Sequence, residues 1–297
     1  MNQYDSVIIG PIAKDTNVDY DGSVVKDFGG AVLYSGYAAA NMGHNCAVFV
    51  KGSNREELLR AFSGAPSLDV FPLISNKDFV TTNIYIDENR ERRDSEIKSL
   101  CDPIRPDEIT PVDSSVWHLA ALAKGDIPEE LIVHLKQYGK IALDVQCMVR
   151  CEENGAFVYR DWEEKKKYLP MVDFLKTDAR EAELLTGLTD RKQAALLLCE
   201  WGAKEVMISF NEEVIVSDGA SVFACPIRAD NLSGRTGRGD TLFGNYVCER
   251  LTKGLQESLD TSTQLVSLKM SVPGPYKGTR GDVKEFAKRV YGSSIDG

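Results

Sequence analysis

Residues 231–246 read NLSGRTGRGDTLFGNY and join a glycine-rich turn to a predicted amphipathic helix. Apolar residues recur at helical spacing after Asp240, which predicts a helix from Thr241 to Lys253 that begins near Gly239 and ends at a C-cap glycine, Gly254. The free N–H groups and the positive dipole end of such a helix face the turn, and glycines let the backbone approach an anion closely. The segment therefore predicts an anion site, for which phosphate is the natural ligand.

Other interpretations of the turn compete with an anion site. A plain loop-to-helix junction, in which Asp240 only stabilises the first turn of the helix, stays open for a motif this short. A dinucleotide-binding fingerprint fits poorly because Leu242 stands where the third glycine belongs, and no Walker-type phosphate motif occurs. The adhesion tripeptide Arg238-Gly239-Asp240 comes without a secretion signal, and its repeat at Arg280-Gly281-Asp282 is a chance match.

Composition narrows the class of protein. With 297 residues, 43% of them apolar, the chain predicts a globular protein with a large core. A net charge of −10 without a compensating basic block argues against nonspecific binding to nucleic acid or to an anionic membrane. No secretion signal or membrane span is visible in the sequence, so we expect a cytoplasmic protein.

Cysteines and histidines give no sign of a zinc site. The seven cysteines lie in apolar contexts, which predicts free thiols in a reducing cytosol. None of the three histidines pairs with a cysteine at zinc-ligand spacing. We expect His118 and His134 to be packed inside the protein and His44 to be an exposed turn residue.

Short apolar runs alternate with helical patterns through most of the chain. The strand candidates are 6–9, 45–50, 116–119, 141–145, 174–176, 205–209 and 214–216. The helix candidates are 31–42, 55–62, 128–138, 162–169, 179–186, 191–201 and 241–253. This order predicts an α/β fold with a mostly parallel sheet covered by helices on both faces, in which ligands bind beyond the carboxyl ends of the strands.

Two segments interrupt that order. Residues of about 12–26 and 79–98 resemble antiparallel strands with turns, the second with a charged turn in its middle, and neither is followed by a crossover helix. We expect them to form a small β-sheet lid over the site, within a single domain of residues 1–297. Two surface hairpins without a function are the alternative.

The complete arrangement resembles the ribokinase-like (PfkB) family of carbohydrate kinases over nearly the whole chain. Gly29-Gly30 opens a helix that ends in Asn41-Met42-Gly43, and Thr236-Gly237-Arg238-Gly239-Asp240 matches the family's Thr-Gly-Ala-Gly-Asp signature with Arg238 in place of Ala. The resemblance implies a three-layer α/β sandwich with a mostly parallel central sheet and a β-sheet lid. It also implies an ATP-dependent phosphotransferase that requires Mg²⁺ and acts on a small polyol.

Catalytic roles follow from this resemblance. Asp240 would be the base that accepts a proton from the acceptor hydroxyl, and the backbone at Gly237, Arg238 and Gly239 would stabilise the phosphoryl oxygens. The Arg238 side chain either adds charge to the site or points into solvent. The resemblance assigns Thr236 to the binding of the phosphate donor.

The resemblance also assigns donor and metal residues. Asp178 and Glu181 stand where the family has Asn-x-x-Glu, so Glu181 would organise Mg²⁺ and Asp178 would help to bind the nucleotide complex, while a helix capping box is the alternative for the same pair. Lys269 and Gly274 fall in the region that lies beside the adenine in the family.

On the acceptor side, the resemblance implies contacts from Asp15, Gly29 and Gly30. Tyr34 stands where several sugar kinases of the family carry asparagine. This difference weakens the assignment of ribose as the acceptor and favours a cyclitol, a nucleoside or another polyol. Gln146 and Arg150 are further candidates for binding it.

Several departures from the family pattern keep other functions open. Gly234-Arg235 and residues 210–213 differ from the family at the nucleotide side, so a noncatalytic sugar or nucleotide sensor is the main alternative. A dinucleotide-dependent reductase fits the predicted sheet but lacks the required glycines. The apolar run 79–86 leaves a homodimer through the lid open.

Overall fold

A computed structural model describes residues 3–87 and 93–292 of the chain. The strands in those ranges are β1 (Tyr4–Pro11), β2 (Ala13–Val18), β3 (Val24–Gly29), β4 (Cys46–Gly52), β5 (Asp69–Ile74), β6 (Phe79–Tyr85), β7 (Arg93–Ser99), β8 (Ser114–Leu119), β9 (Lys140–Asp144), β10 (Arg150–Glu153), β11 (Ala156–Tyr159), β12 (Phe174–Asp178), β13 (Glu205–Ser209), β14 (Glu213–Ser217) and β15 (Val222–Pro226). The α-helices are α1 (Ala31–Asn41), α2 (Arg55–Ala61), α3 (Glu129–Lys136), α4 (Gln146–Val149), α5 (Lys165–Tyr168), α6 (Ala179–Thr186), α7 (Arg191–Glu200), α8 (Arg238–Glu249), α9 (Leu255–Lys269) and α10 (Arg280–Val290).

The larger sheet has the order β15-β14-β13-β12-β9-β8-β1-β4-β5 within the described residues. Its strands pair in parallel from β13 to β5, and β14 and β15 add an antiparallel edge. Successive β1 side chains enter opposite cores: Val7 and Ile9 pack with α3, α6 and α7, and Ile8 packs with α1, α8 and α9. Because both faces are covered, these strands are continuous apolar runs. The predicted α/β fold with a mostly parallel central sheet is confirmed.

The smaller sheet, called the lid sheet below, has the order β10-β11-β7-β6-β2-β3 within the described residues. The segments predicted as lid strands form β2, β3, β6 and β7, and the predicted charged turn at residues 88–92 lies outside the described residues. The hairpin of β10 and β11 was not predicted. Its turn residues Asn154 and Gly155 have φ angles of 53° and 79°, the left-handed backbone that an Asn-Gly hairpin turn requires.

Some predicted element ends and omissions need correction. Helix α8 begins at Arg238 and ends at Glu249, so Gly254 is not its C-cap but the N-cap residue of α9. Strands β5 and β15 and helices α9 and α10 were not predicted. In α9, small polar residues such as Ser258, Thr261 and Ser262 are buried beside the apolar ones, which hides the amphipathic pattern.

The histidine and cysteine predictions are partly confirmed. His118 is buried, but His134 is only half-buried, and His44 is not an exposed turn residue, since its side chain is 13% exposed and bonds to buried Glu249. All seven cysteines are free, and five of them are buried. Among the helices of residues 3–87 and 93–292, none is both long and apolar enough to span a bilayer.

Candidate active site

The N-terminus of α8 is built against α1. Gly237, the residue before the helix, has a φ of 74°, and a Cβ atom placed on it would lie 2.2 Å from Cδ1 of Tyr34. Glycine is therefore required there for both backbone conformation and space. The Ser35 hydroxyl donates a hydrogen bond of 3.0 Å to the Asp240 carbonyl, which ties the first turn of α8 to α1.

Lys269, at the end of α9, lies beneath the turn that precedes α8. Its side chain is 2% exposed, and its ammonium donates to the carbonyl oxygens of Gly234, at 2.5 Å, and of Thr236. The ammonium also lies 5.0 Å from the centre of the Tyr34 ring. Burial lowers the pKa of Lys269 to about 7, while the Asp240 carboxylate acts in the opposite direction.

Two arginines flank the turn and converge on one side chain. Arg235 and Arg238 both donate to Oδ1 of Asn211, at 2.5 and 3.1 Å. Arg238 lines the cavity, and its hydrogen bond to Asn211 lies where the cavity is exposed to solvent. Neither Arg235 nor Asn211 was predicted as a site residue.

Lys176 brings a further positive charge to the start of α8. It ends the apolar part of β12, and its ammonium donates a 2.7 Å hydrogen bond to Oδ2 of buried Asp144. A Cβ atom on Gly239 would lie 3.1 Å from the Lys176 ammonium, so the lysine packs directly against the turn. Burial alone would lower the pKa of Lys176, but the carboxylates of Asp144, Glu181 and Asp240 outweigh burial and raise it.

Sequence reasoning missed Lys176, although a signal existed. Its position at the carboxyl end of a parallel strand is where ligands bind in this architecture. A lysine there can face either a ligand or solvent, and its neighbours in the fold decide which.

The end of the site that the sequence predicts to bind the acceptor is formed by the lid sheet and the start of α1. Thr81 on β6 donates a hydrogen bond to Oδ1 of Asp15 on β2, which fixes the carboxylate. A Cβ atom on Gly29 would lie 2.0 Å from the other Asp15 carboxylate oxygen, so glycine is needed beside it. Gly30 has a φ of 105° and precedes α1. Burial, and then the Asp15 carboxylate, raise the pKa of Tyr34, which keeps its hydroxyl neutral.

The unpredicted hairpin completes this end. Gln146 donates to the Ala121 carbonyl at 2.9 Å and accepts a 2.9 Å hydrogen bond from Arg150. The Arg150 guanidinium lies 4.2 Å from the centre of the Phe157 ring on β11, and Phe157 and Tyr159 both line the site. The Asn154-Gly155 sequence is the hairpin signal that would have found them.

These residues surround one cavity of 560 Å³. It brings together most of the predicted site residues, namely Asp15, Gly30, Tyr34, Gln146, Arg150, Asp178, Thr236, Gly237, Arg238, Gly239 and Asp240. The other predicted site residues, Gly29, Glu181, Lys269 and Gly274, do not line it. Gly29 lies behind Asp15 and Lys269 lies behind the turn, so both contact residues of the wall.

The lid sheet contacts the turn directly. The Tyr85 hydroxyl on β6 lies 3.0 Å from the Thr236 hydroxyl, within hydrogen-bonding distance. Both residues line the cavity, together with the unpredicted lid residues Phe79, Thr81 and Asn83. The acceptor end and the helix N-terminus are therefore two walls of the same enclosure.

The acidic pair at the start of α6 is a capping box. Oδ1 of Asp178 accepts from the Glu181 N–H at 2.7 Å, and Oε2 of Glu181 accepts from the Asp178 N–H at 2.8 Å. This is the alternative that the sequence left open for the pair, and it does not exclude a second role. Asp178 lines the cavity, and Glu181 is 3% exposed behind it.

The same pair fits a magnesium ion. No group of three or more His, Cys, Asp or Glu side chains in residues 3–87 and 93–292 is arranged to hold a metal by itself. Mg²⁺ needs fewer protein ligands, because it keeps several waters and binds substrate phosphates. Burial and then the Asp178 carboxylate raise the pKa of Glu181, while Lys176 acts in the opposite direction. The Asp178 carboxyl group lines the cavity and is the kind of oxygen ligand that suits such a cation, with Glu181 behind it.

Solved structures with the same fold include relatives of this chain. A pyrophosphate-dependent kinase in the ribokinase family, solved as a sulfate complex, is 31% identical with a TM-score of 0.85, over 94% of this chain and 99% of that one. The same kind of kinase has been solved with a pyrophosphate analogue and myo-inositol, again at 31% identity and a TM-score of 0.85. The Arabidopsis thaliana ribokinase complexed with ribose and ATP is 14% identical with a TM-score of 0.74, over 97% of this chain and 99% of that one, which shows the fold alone.

Sequence comparisons agree with the structural ones. A cytidine kinase of Thermococcus kodakarensis is 27% identical over 251 residues, which cover 82% of this chain and 87% of that protein. No model of a protein family matches the chain. Identity of 31% over almost the full length of a family member is enough to assign the family. The chain belongs to the ribokinase-like family of carbohydrate kinases.

Proposed function

We propose that this protein transfers a phosphoryl group to a hydroxyl of a small polyol, with Asp240 as the base. One observation carries the proposal: Asp240, at the N-terminus of α8, shares a 560 Å³ cavity with the acceptor-side residues Asp15 and Tyr34. A carboxylate that faces both an anion site and a polyol site is placed to take a proton from an acceptor hydroxyl.

The proposed reaction divides the work among residues of both walls. Asp15 and Tyr34 hydrogen-bond the acceptor, and Asp240 orients one hydroxyl and takes its proton as the new O–P bond forms. The bond between the transferred phosphorus and its bridging oxygen breaks, and the leaving phosphate departs with the bonding electrons. Backbone N–H groups at the start of α8, with Lys176, stabilise the charge on the phosphoryl oxygens. Asp178, with Glu181 behind it, would hold Mg²⁺, which would neutralise phosphate charge.

Pyrophosphate is the donor we propose first, with ATP as the alternative expected from the sequence. The donor end of the cavity is lined by polar residues and glycines: Lys176, Asp178, Asn211 and residues 235–240. A purine ring needs an apolar or aromatic slot. No described residue beyond Asp240 lines the cavity, so the predicted adenine-side residues Lys269 and Gly274 lie outside it. Three cations at this end suit a compact, highly charged donor, and a 31% identical relative is pyrophosphate-dependent.

A cyclitol is the acceptor class we propose first. The acceptor wall combines polar groups on Asp15, Gln146 and Arg150 with aromatic rings on Tyr34 and Phe157, which suits a ring that bears hydroxyls on its edge. The relative solved with myo-inositol supports this choice. Ribose and cytidine are the competing acceptors.

A homodimer through the lid stays a prediction. Three apolar side chains of the lid sheet, Val24, Val25 and Ile84, are exposed, which supports it. Light scattering in solution would test it, and a monomer at all concentrations would exclude it.

The decisive experiment tests every combination of phosphate donor and acceptor. Purified protein with Mg²⁺ receives pyrophosphate or ATP, together with myo-inositol, ribose or cytidine, and ³¹P NMR detects a new phosphate ester. We expect ester formation with pyrophosphate and myo-inositol. Asp240→Asn should lower kcat by about 100- to 10,000-fold, the usual contribution of a general base, without changing the melting temperature.

The chain offers a matched control for that variant. Asp282 also follows Arg-Gly at the start of a helix, but it only caps α10 through Thr279. Asp282→Asn should therefore keep full kcat. Normal turnover of Asp240→Asn would exclude the proposed base, and ligand-dependent stabilisation without any ester would favour the sensor.

A further inference from the structure

The buried Lys269 ammonium occupies a cage made by the catalytic turn. The cage consists of the Gly234 carbonyl, the Thr236 carbonyl and the face of the Tyr34 ring, and the lysine side chain is 2% exposed. Two carbonyl oxygens and an aromatic face are all ligands for a cation. The cage belongs to the turn, whereas the cation comes from α9.

The position of this ammonium sets the direction of a peptide group. In a trans peptide the C=O and N–H bonds point in opposite directions. Because the Thr236 carbonyl points at Lys269, the N–H of the same peptide, which belongs to Gly237, points away from it. Lys269 does not line the cavity and Gly237 does, so this N–H is turned toward the phosphate end.

We propose that Lys269 is a positioning residue whose ammonium acts as a tethered monovalent cation: it fixes the turn so that the Gly237 N–H faces the phosphoryl group. This inference rests on the proposed function. Lys269 does not line the cavity, so it acts on a bound substrate only through the backbone of the turn. In the protonated form, which is favoured below its pKa of about 7, its positive charge lies on the far side of the turn from the phosphate, where few waters screen it.

A direct consequence is that the wild-type protein does not need a free monovalent cation at this place. The test measures wild-type turnover with choline, sodium, potassium or ammonium as the only monovalent cation, at constant ionic strength. We expect rates within about twofold of one another. Activation of the wild type by tenfold or more with potassium or ammonium would overturn the proposal.

Two substitutions separate the charge from the space it occupies. Lys269→Met removes the ammonium but fills the site, whereas Lys269→Ala leaves the carbonyl cage open. Both should lower kcat in choline by about 100-fold, the usual cost of one lost anion-hole donor, with little change in the acceptor KM. Ammonium or methylammonium should raise kcat of Lys269→Ala at least tenfold. The same amines should leave kcat of Lys269→Met unchanged. Lys288→Met, an exposed lysine on α10, is the control and should keep full kcat.

Each outcome decides the question. Full kcat of either Lys269 variant in choline would overturn the proposal, and so would a folded Lys269→Ala protein that no amine restores, because that result indicates a purely structural lysine. If Lys269→Ala does not fold, Lys269→Met and the wild-type salt comparison decide. Absence of ester from the wild type with every donor and acceptor would instead contradict the proposed function.

Discussion

At the residue scale, the site depends on charges that are buried next to one another. Lys176 is held by Asp144, and Lys269 is held by the carbonyls of Gly234 and Thr236, on two sides of the same turn. A buried charge is tolerated only when such partners replace water. Both lysines are therefore fixed in place before any anion arrives, which limits the reorganisation needed during the reaction.

Lys176 can be tested apart from its role in stability. Lys176→Met leaves Asp144 buried without its partner, which we expect to cost about 3–5 kcal/mol in the free energy of unfolding. Lys176→Met combined with Asp144→Asn removes both charges and should recover most of that loss. If Lys176 stabilises the phosphoryl oxygens, kcat of the double variant should stay about 100-fold low. Denaturant unfolding and turnover, measured on both variants, check this. Recovery of kcat together with stability would show that the pair is only structural.

At this scale, sequence reasoning found residues of one cavity where a motif names the residue, and their roles stay predictions. Asp240, Gly237 and Asp15 were predicted from motifs and line one cavity. Lys176 and Arg235 were not, because their function depends on which neighbours fold against them. A lysine in a strand and an arginine in a turn have the same local pattern whether they face solvent or phosphate.

At the element scale, the site depends on how closely α1 and α8 approach. Gly244 lies on the face of α8 that contacts α1, and a Cβ atom there would lie 2.6 Å from Cα of Ser35. That contact is with backbone, which cannot move aside as a flexible side chain can. The same serine bonds to the Asp240 carbonyl, so this helix contact also positions Asp240, the proposed base.

Gly244→Ala should therefore force the two helices apart. We expect a loss of about 1–3 kcal/mol in stability despite the better helix propensity of alanine, and a lower kcat. Gly281→Ala in α10 is the matched control, since its Cβ would meet only Thr279 Oγ1 at 3.4 Å. Thermal melting of both variants gives the comparison. Equal melting temperatures would show that α8 adjusts without strain.

Helices and strands were predictable where apolar residues recur with one regular period along the segment. The buried parallel strands and the amphipathic helices before α8 were found because their apolar residues recur regularly. Helix α9 was missed because Thr261 and Ser262 fill positions that an apolar stripe would occupy. The β10–β11 hairpin was missed because its strands are only four residues long.

At the scale of the whole molecule, Glu249 joins three distant parts of the chain. It lies at the end of α8, accepts from His44 after α1 at 3.0 Å, and accepts from Arg280 at the start of α10. Burial alone would raise the pKa of Glu249, but hydrogen bonds from His44 and Arg280 outweigh burial and lower the pKa to about 2. The charged form of Glu249 is therefore favoured in the folded protein.

This network predicts how stability depends on pH. A carboxylate with a lowered pKa stabilises the fold above its unfolded pKa of about 4.5 and loses that contribution as pH falls toward 2. The lost contribution is about 3 kcal/mol. Glu249→Gln should be less stable than the wild type at pH 7, and the difference should shrink between pH 4.5 and 2. Urea unfolding across that range measures it, and a difference that does not vary with pH would contradict the role of the charge.

The β10–β11 hairpin has a consequence for how such proteins diversify. It follows β9 after the short helix α4 and supplies Arg150, Phe157 and Tyr159 to one wall of the cavity, whereas the wall at the start of α8 comes from residues 235–240, much later in the chain. Mutations that alter acceptor preference can therefore accumulate in residues 150–159. Residues 235–240, which we propose to carry out phosphoryl transfer, can stay unchanged. A graft of residues 150–159 between relatives would therefore change part of the wall proposed to bind the acceptor while it leaves residues 235–240 as they are.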